Sequence, residues 1–228
     1  MRVLRIFGFL ALALHGADIP SGIVGPFEIK GAFVPATSVD KPVLAALRKK
    51  GIEPAHLCSD AVFLRRVYVD AIGVLPQSEE VGAFLASKRA DKRARLIEDL
   101  LKRDEFNDYW TLKWCDLLRV KAEFPINLWP NGVQAYYRWI REAVKSDMPL
   151  DRFARELLTS SGSNFRVPPV NFYRAVQSRD SGGISDAVAL TLMGTRLQSW
   201  PESSRSDMAV FFSRVVYKKT AEWKEEIV

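Results

Sequence analysis

Between Asp40 and Val215 the apolar residues of this chain recur at helical spacing, and the segments that carry them are punctuated by residues that start and stop helices. Asp40 and Pro42 open the first, Leu44 and Leu47 share its face, and Gly51 closes it. Ser59 caps a second, expected over residues 60–72 with Phe63, Leu64 and Val67 inward and Gly73 as its stop. Pro76 forces a turn, and Glu79 and Glu80 supply first-turn acids to a third helix carrying Val81, Phe84 and Leu85. Asp91 caps a fourth with Leu96, Ile97, Leu100 and Leu101. Phe106, Trp110, Trp114 and Leu117 follow at steps of four, four and three, which makes them the expected core stripe of a fifth. Asn131 opens a sixth through Tyr136, Tyr137, Trp139, Ile140 and Val144, and Pro149 and Asp151 a seventh with Phe153, Leu157 and Leu158 inward. A helix through Ala187, Leu190, Leu192 and Met193, a break at Trp200-Pro201 and a last helix over residues 208–215 complete the pattern. It predicts a mainly α fold, an irregular bundle of about eight to nine helices. Strand is expected at most as a minor element near the termini, with residues 28–34 the place for it.

The amino-terminal residues carry a different signal. Arg2 and Arg5 precede an apolar run over residues 6–14, followed by the small residues Gly16 and Ala17. That run is far short of the about 20 residues a membrane-spanning helix needs, so residues 1–17 read as a cleaved secretory signal and the protein as exported, to the periplasm or the cell surface. Residues 18–39 hold Pro20, Pro26, Pro35, Gly22, Gly25 and Gly31 and read as an extended linker, leaving residues 40–228 as the helical domain. The ending at Glu225, Glu226, Ile227 and Val228 shows no cap or stop signal and reads as a chain cut short.

Export narrows the chemistry. Of two histidines, His15 leaves with the signal and only His56 stays, which removes bis-histidine haem, imidazole zinc sites and most nucleophile triads; no cofactor and no metal site is expected. Without Arg2 and Arg5 the 33 basic residues fall to 31 against 27 acidic, a net charge of +4 in place of +6. The basic residues are interleaved with acids (Lys92, Arg93 and Arg95, then Glu98 and Asp99), the pattern of solvated helix faces, so nucleic acid is not an expected partner. Cys58 and Cys115 can bridge in an oxidising compartment if they meet, but Cys115 sits in a helical pattern beside Trp114, where a buried unpaired thiol is the commoner outcome.

Candidate working residues fall in two places. Residues 159–183 form the longest stretch of weak periodicity, rich in Ser, Gly, Asn and Pro, and long loops carry function; Asn164, Arg166, Asn171, Tyr173 and Arg174 give it polar reach, and Trp200 joins them as an exposed aromatic. Trp129 and Trp223 are the other tryptophans outside the apolar stripes, and such faces can stack on sugars. Asp70, Asp116 and Arg119 are expected to form a buried polar cluster, Asp116 and Arg119 being three apart on one helix. As a structural unit the cluster fixes helix register; as a catalytic one, a carboxylate serves as general acid or base while arginine holds an anionic group.

Three groups of residues resemble a known family. They are Leu64-Arg65-Arg66-Val67-Tyr68-Val69-Asp70 with Gly73, Pro76 and Glu79-Glu80; then Trp110, Trp114, Asp116 and Arg119; then Tyr137, Trp139, Asp147-Met148-Pro149, Asp151, Phe153, Glu156 and Leu157. Together they resemble the planctomycete-type cytochrome-associated domain, domain of unknown function 1549, over roughly residues 40–228. Members often carry Cys-x-x-Cys-His after a Gly-x-Arg segment, and the resemblance would imply a c-type haem or a metal there. The matching stretch, Gly194-Thr195-Arg196-Leu197-Gln198-Ser199-Trp200-Pro201-Glu202, has no cysteine or histidine, so that redox role is not carried over. The resemblance also implies a second domain on the same polypeptide as partner. The reading that results is an exported envelope module that docks to a carboxy-terminal partner domain, another envelope protein or a polysaccharide; a carboxylate-dependent hydrolase acting on polysaccharide is the alternative.

Overall fold

The chain is mainly α, as the periodicity predicts. The structure, a computed structural model, describes residues 27–29, 34–35, 37–122 and 130–228. The expected signal, most of the linker and Trp129 lie outside the described residues. Among those described are ten α-helices, two short 3₁₀ turns and two two-stranded antiparallel sheets, one near each end of the chain. No described helix is long and apolar enough to cross a membrane. By its contacts the chain divides after Leu64 into two compact units.

In the first unit β1 (Glu28–Ile29) pairs antiparallel with β2 (Leu57–Cys58), Glu28 opposite Cys58 and Ile29 opposite Leu57. Between them runs α1 (Asp40–Lys49), whose stripe is the expected one, with Leu44 and Leu47 its half-buried apolar residues. Gly51 ends it at φ +68, while the Ile52 and Lys50 N–H groups bond back to Leu47. The division falls within α2 (Asp60–Ile72).

In the second unit the last part of α2 brings Tyr68 and Ile72 inward, and Gly73 follows at φ +72. A Cβ on Gly73 would lie 2.4 Å from the Tyr109 ring, so both the turn and the close packing exclude a side chain. α3 (Ser78–Ala86) opens with a reciprocal cap, Gln77 N–H donating to Glu80 Oε2 at 2.7 Å. α4 (Lys92–Leu101) buries Leu100, and α5 (Asp104–Leu117) follows at once. Arg103, at the start of α5, donates to Glu80 at 2.8 Å and to Glu105 at 2.5 Å, a charged tie between α3 and α5 that the sequence pattern did not reveal.

The expected core stripe of α5 is corrected. Its buried face is Thr111 and Cys115, continued by Leu118, while Trp110 and Leu117 are exposed and Trp114 is half-buried. The two stripes have the same helical period; the smaller residues let α5 pack against α6 (Pro130–Lys145), which buries Gly132, Ala135, Tyr136, Ile140 and Ala143. The displaced aromatics line a groove of about 180 Å³ with Asp147, Met148 and Phe153, and Phe153 of α7 (Leu150–Thr159) stacks on Trp139 at 4.8 Å.

The chain after α7 departs most from expectation. Residues 159–183 are not a long loop: a 3₁₀ turn (Pro168–Val170) runs into α8 (Asn171–Ala175), and Val170, Phe172, Tyr173 and Ala175 are core. Short elements without a repeating apolar stripe leave no periodic signal. α9 (Ser181–Leu192) is capped by Asp180, whose carboxylate accepts the Gly183 N–H at 2.8 Å. Its buried residues are Ile184, Ser185, Ala187, Val188 and Ala189, while Leu190 and Met193 are exposed. The last helix, α10 (Glu202–Val210), starts earlier and ends earlier than the expected 208–215: it opens directly after Pro201, with Glu202 as its first-turn acid. β3 (Lys218–Lys219) and β4 (Glu226–Ile227) complete the unit.

Candidate functional site

Beyond α7 the chain forms a cradle for its own carboxy-terminal strand. On one side β4 pairs with β3, Lys219 opposite Glu226. On the other, Gly162 and Val228 exchange N–H···O bonds of 2.9 and 3.1 Å, and Asn164 N–H donates to Glu226 O at 3.0 Å. Gly162 has φ +132 and a Cβ there would strike Val167 at 2.8 Å, so this edge is shaped by a glycine. A short extended segment is thus held along both edges.

Side chains lock the register. Asn164 is fully buried, and its Oδ1 accepts the Glu226 N–H at 2.9 Å. Asn171, also fully buried, donates to Asn164 O at 2.7 Å and to Pro168 O at 3.0 Å. The Tyr173 hydroxyl donates to Leu158 O at 2.8 Å, and Tyr217 OH donates to Tyr173 O at 3.1 Å. The Glu226 carboxylate accepts from Arg174 Nη1 and, at 3.2 and 3.3 Å, from Arg179 Nη1. Arg179 also lies over the Tyr217 ring, 4.7 Å from its centroid. Next to it Glu225 accepts from Ser163 Oγ and Thr220 Oγ1, which hold its carboxyl below the ordinary range.

Burial sets the electrostatics. It lowers the Arg174 pKa, with the facing Glu226 charge acting the other way, and it lifts the Tyr173 hydroxyl to about 12. Arg174 Nε, Asn164 Nδ2 and Asn171 Oδ1 are buried and have no hydrogen-bond partner among the described residues. Arg174, Arg179 and Glu226 form one wall of a cavity of about 610 Å³, with Lys219, Trp223 and Lys224 around the rest. That size lies within the ~300–1,000 Å³ of ordinary ligand clefts.

Of the six expected binding residues, Asn164 and Arg174 contact β4 directly, Asn171 holds Asn164, and Tyr173 is tied to Leu158 and Tyr217. Arg166 is exposed, and its charge acts on the Glu225 carboxylate, while Trp200 lies after the second 3₁₀ turn (Leu197–Ser199), its indole N–H donating to Thr195 Oγ1 at 3.3 Å. Pattern reading missed Glu226, Arg179, Tyr217 and Thr220. In the sequence Glu225 and Glu226 show only an ending without cap or stop signal, and their distant partners give them a role.

The expected buried cluster of Asp70, Asp116 and Arg119 does not form: Asp70 and Asp116 are exposed and, among the described residues, no ion pair joins the three. Cys115 takes the core-facing position on α5, and the next residue points roughly 100° away. Arg119 falls beyond the helix end at φ +58 and lines a separate cavity of about 190 Å³ with Arg196, Asp186 and Gln198. Cys115 is a free thiol, not bridged to Cys58. Among the described residues no group of three or more His, Cys, Asp or Glu is placed to hold a metal ion.

Residues 38–210 match the family described as Protein of unknown function (DUF1549), PSCyt2. No curated protein and no solved structure matches the chain.

Proposed function

The chain belongs to the DUF1549 family, and on that premise we propose that it is an exported envelope module that docks a protein segment or a polymer and carries out no catalysis of its own. The observation that carries this reading is the cradle around Glu226, which lies outside the matched residues. Its parts are those of a peptide-binding face: an extended segment paired on two edges, a carboxylate between two guanidiniums, and an open cavity beside them. A platform that grips an extended stretch of its own chain has the chemistry to place whatever joins or touches that stretch.

The mouth of the cavity supplies the accessible charge. Glu226 neutralises the floor, whereas Arg179 is 41% exposed and Lys219 and Lys224 are exposed, with Trp223 beside Lys224. Long-range attraction followed by short-range pairing is the expected mode of capture. Export through a cleaved signal and residence in the periplasm or on the cell surface belong to the same proposal, on the strength of residues 1–17.

Co-sedimentation of the purified chain with insoluble envelope polysaccharide, alongside pull-down of soluble envelope proteins, tests it. Binding that a K219A/K224A variant loses in either arm supports docking at this face. Binding in neither arm, or binding indifferent to the variant in both arms, defeats docking at this face.

A further inference from the structure

A second cavity brings together two arginines that the cradle does not use. Leu118 is buried at the end of α5, and Val120 N–H bonds back to Cys115 O at 2.9 Å. Between these anchors Arg119 takes φ +58, a left-handed conformation that residues with side chains rarely adopt. Arg196 comes from the segment before the 3₁₀ turn, and both arginines line the same space of about 190 Å³. Among the described residues neither guanidinium has an ion-pair partner. Val176, Ala187 and Leu190 supply the apolar part of the lining. Asp186 is the one acid lining the cavity, its Oδ2 accepting from Gln198 Nε2 at 3.3 Å, and Gln177 and Ser178 complete the polar rim. One wall is tight: a Cβ on Gly183 would lie 2.3 Å from the Ser178 Cβ.

This mixture selects a ligand class. Two guanidiniums offer paired donors to a planar carboxylate. A bare inorganic anion would gain nothing from the apolar part of the lining and would be repelled by Asp186. A sugar ring carrying a carboxylate satisfies each part: its acid faces Arg119 and Arg196, its hydroxyls meet Asp186, Gln177 and Gln198, and its apolar face lies on Val176, Ala187 and Leu190. The volume is below the ~300–1,000 Å³ typical of whole-ligand clefts, so it admits one such residue with the remainder of a chain outside. We infer that the cavity between Arg119 and Arg196 binds a single uronic-acid residue of an acidic polysaccharide. The inference goes beyond the docking face: this cavity is a separate site, and its occupant does not depend on Lys219 or Lys224.

Titration calorimetry of the full chain with oligogalacturonide, with a neutral cello-oligosaccharide and with sodium sulfate tests it. The oligogalacturonide is expected to bind, the other two are not, and R196Q weakens binding by about tenfold or more, as loss of a charge-assisted contact requires. R119K, which keeps the charge but loses the planar fork, should weaken it less than R119Q. Arg196 is exposed, so R196Q is expected to leave the thermal melt unchanged and reports on binding alone. Equal binding of the neutral oligomer, sulfate binding as tight as the oligogalacturonide, or affinity unmoved by R196Q overturns the inference. K219A/K224A leaves this cavity intact, so oligogalacturonide binding that survives it separates this site from the docking face.

Discussion

Arg174 and Glu226 stand 52 positions apart and form an ion pair in which each side chain is about nine-tenths buried. The pair closes the second unit from its far end. Arg174 lies in α8 among core residues, and Glu226 belongs to a strand with no core stripe of its own. Removing Glu226 leaves the Arg174 charge buried and uncompensated, which costs about 3–5 kcal/mol in comparable sites, whereas removing Arg174 still leaves Glu226 facing the more exposed Arg179 at 3.2 Å and costs less. E226A is therefore expected to lower the urea midpoint markedly, and R174A to lower it less. R174M/E226L should lose less than the sum of the two, because neither charge is stranded. Additive losses would mean that the two side chains do not act on each other.

A second prediction concerns Gly73. Its φ of +72 disfavours any side chain, and the Tyr109 ring fills the space a Cβ would need. G73A is expected to destabilise the unit by about 2–4 kcal/mol, the sum of left-handed strain and overpacking. Gly194 provides the control: its φ is +63, but nothing lies within 4 Å of its Cβ position, so G194A should show the backbone part alone. Denaturation of both variants, with Y109A added to G73A, checks the division. Failure of Y109A to recover any stability would remove the ring from the account.

What the sequence made legible follows from how each element is encoded. Helices long enough to repeat an apolar stripe, such as α2 and α7, were found within a residue or two, because periodicity and caps agree there. α5 was placed correctly but rotated, since Phe106, Trp110 and Trp114 and the smaller Thr111, Cys115 and Leu118 both satisfy a helical spacing, and only the fit of α6 chooses between them. α8 and the turn before it span too few residues to show a period, so they passed for loop. The cradle was half visible. Polar residues in a weakly periodic stretch marked where to look, yet their partner Glu226 comes from more than fifty residues away, a separation no local pattern encodes. Asp116 and Arg119 failed as a pair because the helix ends between them and Arg119 turns left-handed.

The tie between Arg103, Glu80 and Glu105 predicts a response to acid. The Arg103 guanidinium holds the Glu105 carboxyl down to about 2, and the Gln77 N–H, with Arg103, lowers that of Glu80. A carboxyl whose pKa is depressed by folding stabilises the folded state above its ordinary pKa, near 4.5, and loses that contribution as pH falls toward its folded value. Stability should thus decline between about pH 4.5 and 2. Both carboxylates are half-buried, Glu80 33% and Glu105 44% exposed, so solvent screening still keeps the effect modest. R103Q should flatten this part of the profile and lower stability slightly at neutral pH. Urea midpoints from pH 7 to 2 provide the measurement, and parallel curves for the two proteins would contradict it.

Cys115 gives the last prediction, and it also tests what Asp116 does. Burial raises the Cys115 thiol to about 11, with the neighbouring Asp116 carboxylate adding to the rise. From an ordinary 9.0 that leaves about a hundredfold less thiolate near neutral pH, and burial further limits access. Alkylation of Cys115 by iodoacetamide, followed on its own peptide by mass spectrometry, should therefore be slower by at least that factor in the folded chain than in urea. D116N removes the neighbouring charge and should speed the folded-state reaction severalfold. Because Asp116 is exposed and near the carboxy-terminal end of α5, where a carboxylate opposes the helix dipole, the same change should leave stability within about 0.5 kcal/mol and favour a small gain. A large loss of stability in D116N would instead make Asp116 the register-fixing residue that its position in the structure argues against.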